Sequence, residues 1–239
     1  MIFLSIFLAI AAACIPAIVW FAFFSKQDLH PEPKRLIIYT FTAGVFVSAI
    51  VIAIQFGFQN VFPENPDTLL ASIVVLALVE EFFKFFAANW AIRRDPAFDE
   101  PVDAMVYMIA AALGFATVEN IFVLMGSLSE ISASPFLSVL ETAGLRFIGA
   151  TLLHVLASAL VGYFWAKGRM RKNEISYIAI GIVLATLIHA LFNHLILSFQ
   201  DKDLLVYPTV FLLFIAFFVM VEFEKLRKAK GVAVGKRDM

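Results

Sequence analysis

Glu80 and Glu81 stand side by side in an apolar run, with Lys84 one helical turn further on. A third acid, Glu119, sits in the next apolar run and is followed by Asn120. His154 lies in a later run with Arg146 upstream of it, and His189, Asn193 and His194 lie in the run after that. Polar and ionisable side chains inside membrane-length apolar segments are costly and usually functional. On a helix, Glu80 and Lys84 are four apart and share a face, and Glu81 is three from Lys84. One lysine neutralises one carboxylate well, which leaves the other available as a general base or acid. His189 and Asn193 are also four apart and can face one cavity. An imidazole beside an amide suits donation to a developing oxyanion. A base for water and donors for an oxyanion are the parts of a hydrolytic site.

Each part also has a plainer reading. Glu80 and Lys84 alone could be an ion pair joining helices, and His154 alone an interhelical hydrogen-bond donor. Arg146 reads as structural or interfacial, because its long side chain can snorkel outward. His194 points about 100° away from Asn193 on a helix and reads as a secondary contact. Asp103 reads as a helix-start residue. The 27 phenylalanines read as lipid-facing or packing bulk, and the single cysteine, Cys14, as packing that allows no disulfide within the chain. The joint cluster is what these plainer readings leave unexplained.

The elements that must position these residues are membrane spans. The chain is 62% hydrophobic and 15% charged, with a mean hydropathy of +0.92. Soluble domains carry about 45–50% apolar and about 25% charged residues. A net charge of -1 gives no basic field for nucleic acid. A helix needs about 20 apolar residues to cross the hydrocarbon core. Seven runs qualify, at about 2–24, 36–58, 68–92, 103–125, 137–166, 176–199 and 204–223. The first lacks a basic leader and an A-x-A site, and reads as a retained span. Asn65-Pro66-Asp67, Glu100-Pro101-Val102-Asp103 and Ser134-Pro135 supply helix-start signals. Ala150, Ser158 and Gly162 make a small-residue stripe in the fifth run.

Charge sets the orientation. Lys26, Lys34 and Arg35; Arg93 and Arg94; Lys167, Arg169, Arg171 and Lys172; and the tail Lys225, Arg227, Lys228, Lys230, Lys236 and Arg237 fall on one side. The other side carries only Lys202. By the positive-inside rule the N-terminus is outside and the tail is cytoplasmic. The expected fold is therefore all-α: a polytopic transmembrane helix bundle of about seven spans. It is one domain over 1–239, with a catalytic core at about 68–199 and a basic cytoplasmic tail at 224–239.

Depth ties the cluster together. Glu80 lies about 16 Å below the outer end of its run, and His154 and His189 about 17–18 Å from the inner side. Glu119 and Asn193 fall somewhat toward the outer half. The first, second and seventh runs hold nothing comparable in their centres.

Glu80-Glu81-Phe82-Phe83-Lys84, Gly114-Phe115-Ala116-Thr117-Val118-Glu119-Asn120 and His189-Ala190-Leu191-Phe192-Asn193 together resemble the PrsW family of bacterial membrane proteases. That family shares a superfamily with the CAAX prenyl proteases and a gamma-secretase scaffold subunit. The matching hallmarks are E-E-x-x-K, F-x-x-x-E-N and H-x-x-x-N, with His154 in the place of a further histidine. The resemblance covers about residues 68–199. It implies a glutamate-type intramembrane endopeptidase in the cell membrane, acting on a membrane-embedded or membrane-anchored protein. An anti-sigma factor, cut first in a stress response, is the family's implied substrate. It also implies roles. Glu80 would activate the attacking water, with Glu81 and Lys84 orienting and balancing it. Glu119 would share the base role. His189 and Asn193 would stabilise the oxyanion, and His154 would contact water or substrate. Asn120 belongs to the supporting set.

No cofactor is required by this reading, but a divalent metal such as zinc stays open, with Glu80, Glu119, His154 and His189 as its ligands. A zinc site-2 protease would need H-E-x-x-H, which is absent, and no aspartate lies mid-run for an aspartyl dyad. No G-x-S-x-G is present. A non-catalytic scaffold or receptor and a proton-coupled transporter are the rivals of a different class. The retained glutamate pair argues against the first, and the absence of duplicated halves against the second.

Overall fold

In the computed structural model, residues 2–26, 30–62, 65, 68–129, 135–199 and 205–229 are described. Pro66-Asp67, Ser134, Lys202 and the tail from residue 230, with Lys230, Lys236 and Arg237, lie outside them. The described residues form eight helices: α1 (Ile2–Ser25), α2 (Lys34–Val61), α3 (Leu69–Ile92), α4 (Asp103–Ser129), α5 (Pro135–Ile148), α6 (Ala150–Met170), α7 (Glu174–Ser198) and α8 (Val206–Lys228). The all-α expectation holds among the described residues. A lipid solvent leaves no other choice for segments this apolar, because each backbone group must find its partner within the helix.

Five segments are long and apolar enough to cross a membrane: Lys34–Val61, Asp103–Gly126, Leu140–Met170, Glu174–Ser198 and Val206–Lys228. The outer faces agree with that reading, since Phe46, Phe214 and Phe217 are each about 70% exposed. Such faces suit hydrocarbon rather than water. α3 has the length, but Glu80, Glu81 and Lys84 interrupt its apolar character.

The fifth expected span, 137–166, is found as the single candidate span Leu140–Met170, with a break inside it. Gly149 has φ -89° and ψ -93°, well away from helical values, and divides the run into α5 and α6. At 14 residues, α5 is about 21 Å long and too short to cross alone.

α4 is the central post. Its residues 103–117 are almost wholly buried, and it packs against α1, α2, α3, α5 and α6. Glycines set its closest approach. A Cβ at Gly44 of α2 would lie 2.0 Å from the Ala111 carbonyl of α4, and one at Gly114 of α4 would lie 2.0 Å from the Phe41 carbonyl of α2. The small-residue stripe on α6 works in the same way, with Gly162 against Ala104 and Met105. α3 packs directly on α7 as well as on α2, α4 and α6. The helices carrying the candidate residues are therefore neighbours.

The expected helix starts are partly visible. Asn65 accepts the Thr68 N–H through Oδ1 at 2.9 Å. Asp103 Oδ2 accepts the N–H groups of Asp99 and Glu100 at 2.9 and 2.7 Å. Asp103 is thus a local organiser of the turn into α4, as expected.

Candidate active site

α3 delivers three charges to the interior on one face. Glu80, Glu81 and Lys84 are all buried, Lys84 completely. Lys84 Nζ donates to Glu81 Oε1 at 2.7 Å and stands 3.8 Å from Glu80 Oε2. It also lies 4.9 Å from the centre of the Phe115 ring of α4, a cation–π arrangement.

The histidines join this face from two other helices. His154 of α6 has Nδ1 2.7 Å from Lys84 Nζ and Nε2 2.8 Å from Glu119 Oε2 of α4. An ammonium only donates and a carboxylate only accepts. His154 Nδ1 therefore accepts, and its Nε2–H donates to Glu119. His189 of α7 has Nδ1 2.8 Å from Glu81 Oε1, so Nδ1 carries the proton. The other ring nitrogen, Nε2, stands 3.7 Å from Glu80 Oε2. The two imidazoles meet edge to face with centroids 5.2 Å apart.

Two further residues complete the network, and the sequence reading missed both in this role. Gln55 of α2 donates to Glu80 Oε1 at 2.9 Å, so the second run does supply a polar group to the centre. Arg146 of α5 donates through Nη2 to Glu119 Oε2 at 2.9 Å and through Nε to Asn120 Oδ1. It turns inward rather than snorkelling, which corrects the interfacial reading. Asn120 in turn donates to Thr151 of α6 at 2.9 Å. The signal for Arg146 was a lone cation inside an apolar run. The sequence reading did not single out Gln55, which falls near the end of its run.

The structure thus brings together Glu80, Glu81, Lys84, Glu119, Asn120, His154 and His189. Asn193 is half-buried one turn beyond His189 and has no hydrogen bond among the described residues. His194 is exposed. With Nδ1–H committed to Glu81, Nε2 is the ring nitrogen that His189 turns toward Glu80.

Three donors, one each from Glu80, His154 and His189, lie within 4.8 Å of one another, and all three residues are buried. Glu119 is outside that group and backs His154 instead. Two histidines and a carboxylate are a catalytic zinc donor set. Glu80 Oε2 is buried without a hydrogen-bond partner. Among the described lysines and arginines, only Lys84 and Arg146 face Glu80, Glu81 and Glu119, one carboxylate in excess. The donor types therefore suit a cation, but His154 can join only where Lys84 Nζ gives up Nδ1, and ligand bonds of about 2 Å would draw the donors closer than they stand.

An all-helical, multi-pass bundle with buried glutamates and histidines at its centre defines a membrane-embedded hydrolase. Residues 32–221 match the model of a family described as PrsW family intramembrane metalloprotease, and the chain belongs to that family. Among its curated relatives, a protein named Protease PrsW from Oceanobacillus iheyensis is 28% identical over 86% of this chain and 91% of its own length. Proteins of the same name from Geobacillus kaustophilus and Bacillus subtilis are 26% and 25% identical. Each match covers 95% of this chain, with 94% and 97% of the relatives covered. The chain is accordingly a membrane peptidase. No solved structure matches it.

Proposed function

We propose that the chain is a multi-pass endopeptidase of the cell membrane that cleaves a membrane-embedded or membrane-anchored protein by water attack at Glu80. The observation that carries this is the state of Glu80. One of its oxygens is held by Gln55, and the other is buried without a hydrogen bond, 3.7 Å from His189 Nε2 and 3.8 Å from Lys84 Nζ.

Each side chain has a task in this reading. Glu80 Oε2 takes one proton of a water as its oxygen adds to the scissile carbonyl, and returns that proton to the leaving nitrogen as the C–N bond breaks. His189 Nε2 accepts from the water's other hydrogen and aims its lone pair at the carbonyl. Glu81 holds His189 in the required tautomer, as a carboxylate holds the imidazole in other hydrolytic sites. Lys84 keeps Glu81 charge-balanced and in place. Glu119 fixes His154 from the opposite side. Asn193, one turn beyond His189 on α7, is assigned to the oxyanion. A divalent ion such as zinc would be held by Glu80, His154 and His189, and would supply a Lewis acid for the carbonyl and for water. The convergence of those three donors favours that second reading, and it keeps Glu80 at the centre.

The proposed topology has seven crossings, with α5 and α6 sharing one, the N-terminus outside and the basic tail in the cytoplasm. It is supported by the separation of Lys and Arg along the chain. An anti-sigma factor of a stress response is the substrate that the family resemblance supplies. The test is incubation of the purified protein and its Glu80→Ala form with a panel of single-span membrane proteins. Cleavage by the first and not the second is expected. Equal cleavage by both would remove Glu80 from the reaction.

A further inference from the structure

Arg146 and His154 meet on the same atom. Glu119 Oε2 takes Arg146 Nη2–H at 2.9 Å and His154 Nε2–H at 2.8 Å. In an unbroken helix these two residues would be about 12 Å apart along the axis. The break at Gly149 lets α5 bring the guanidinium to the carboxylate that α6 reaches with its imidazole. The end of α5 is held there from a second direction. Trp20 of α1 donates to the Phe147 carbonyl at 3.1 Å and stacks on the Phe147 ring with centroids 5.5 Å apart. The guanidinium also grips Asn120, whose amide donates to Thr151, one turn before His154 on α6.

We propose that Arg146 is a positioning residue: its fork holds Glu119 where that carboxylate takes the Nε2–H of His154, so that His154 presents Nδ1 to Lys84. The inference rests on the hydrolytic reading above. Arg146 touches neither Glu80 nor His189 and acts through Glu119. Without it, Glu119 would be a half-buried carboxylate with one neutral partner, free to turn away from His154. A fork is required rather than a point charge, because two acceptors on successive residues of α4 are held at once.

The test compares Arg146→Gln and Arg146→Lys with the unmodified protein. The chain has four histidines, so nitrogen-15 labelling of histidine gives a spectrum in which His154 can be assigned. Arg146→Gln should shift the His154 Nε2–H signal and mix its tautomers. On the panel protein that is cut fastest, kcat should fall about 10- to 100-fold, as for other residues that orient a working side chain. KM should stay within about twofold, since no contact with substrate is lost. Arg146→Lys should recover part of the rate and only part of the His154 signal. An unshifted His154 signal in Arg146→Gln would overturn the inference, whether or not a panel protein is cut. So would a lower thermal midpoint with unchanged kcat of the folded fraction, which marks a structural role only. Cleavage that survives Glu80→Gln would count instead against the hydrolytic reading.

Discussion

The Nδ1 atom of His154 stands 2.7 Å from the ammonium of Lys84, and that same ammonium stands 2.7 Å from Glu81. One fully buried cation therefore does two things. It balances a carboxylate that the membrane interior would otherwise reject, and it selects which nitrogen of His154 carries the proton.

Removing Lys84 should be costly in a diagnosable way. Lys84→Met leaves Glu81 buried without its cation and held only by His189, and breaking a buried ion pair typically costs about 3–5 kcal/mol. The thermal midpoint in detergent should drop sharply. The double variant Lys84→Met with Glu81→Gln removes both charges and should recover much of that loss while staying inactive. If the double variant were as unstable as the single one, the pairing would not be the source of the cost.

Activity variants separate the roles at Glu80. Glu80→Gln keeps shape and should lower kcat by about 1000-fold or more, near the upper range for loss of a general base. Gln55→Leu frees Glu80 Oε1 and should cost about tenfold, the size of one hydrogen bond to a charged acceptor. Asn193→Ala should cost about 100- to 1000-fold if its amide meets the oxyanion. Cleavage rates of matched amounts of folded protein decide each. An Asn193→Ala enzyme at full speed would strike Asn193 from the mechanism.

Zinc titrated into metal-stripped protein should bind one ion per chain, read by calorimetry, and Glu80→Gln or His189→Ala should abolish that binding. Cleavage lost on chelation and restored by zinc assigns the ion to the reaction. Cleavage that persists through chelation leaves Glu80 to activate water unaided.

Topology is open to cysteine labelling, because Cys14 is the chain's only cysteine. In a Cys14→Ser background, Gln59→Cys and Lys228→Cys both place the thiol at exposed positions. A membrane-impermeant reagent should reach the first from outside and the second only from the cytoplasm. Labelling of both from one side would overturn the seven-crossing arrangement.

Much of the site was legible because membrane burial makes each polar residue conspicuous. Glu80, Glu119, His154 and His189 stand out against apolar runs, and a constant rise per residue turns position into depth. What depth cannot supply is azimuth. Whether Arg146 points outward or inward depends on the turn at Gly149, and one glycine in an apolar run does not announce a break. Gln55 sits near the end of its run, where an amide is inexpensive, and only the packing of α2 against α3 brings it to Glu80. The protonated nitrogen of each histidine was equally out of reach, since partners on other helices assign it.

The order of helices along the chain has its own consequence. α3 is synthesised long before α6 and α7, so Glu80, Glu81 and Lys84 enter the membrane when only Gln55 among their partners outside α3 has been made. The short tie between Lys84 and Glu81 is internal to α3 and travels with it, which lessens the cost of inserting three ionisable groups together. His154 and His189 arrive last. A nascent or truncated chain that stops before α7 lacks His189, the side chain that faces both Glu80 and Glu81. On the proposed mechanism, peptidase activity is thereby deferred until synthesis is nearly finished.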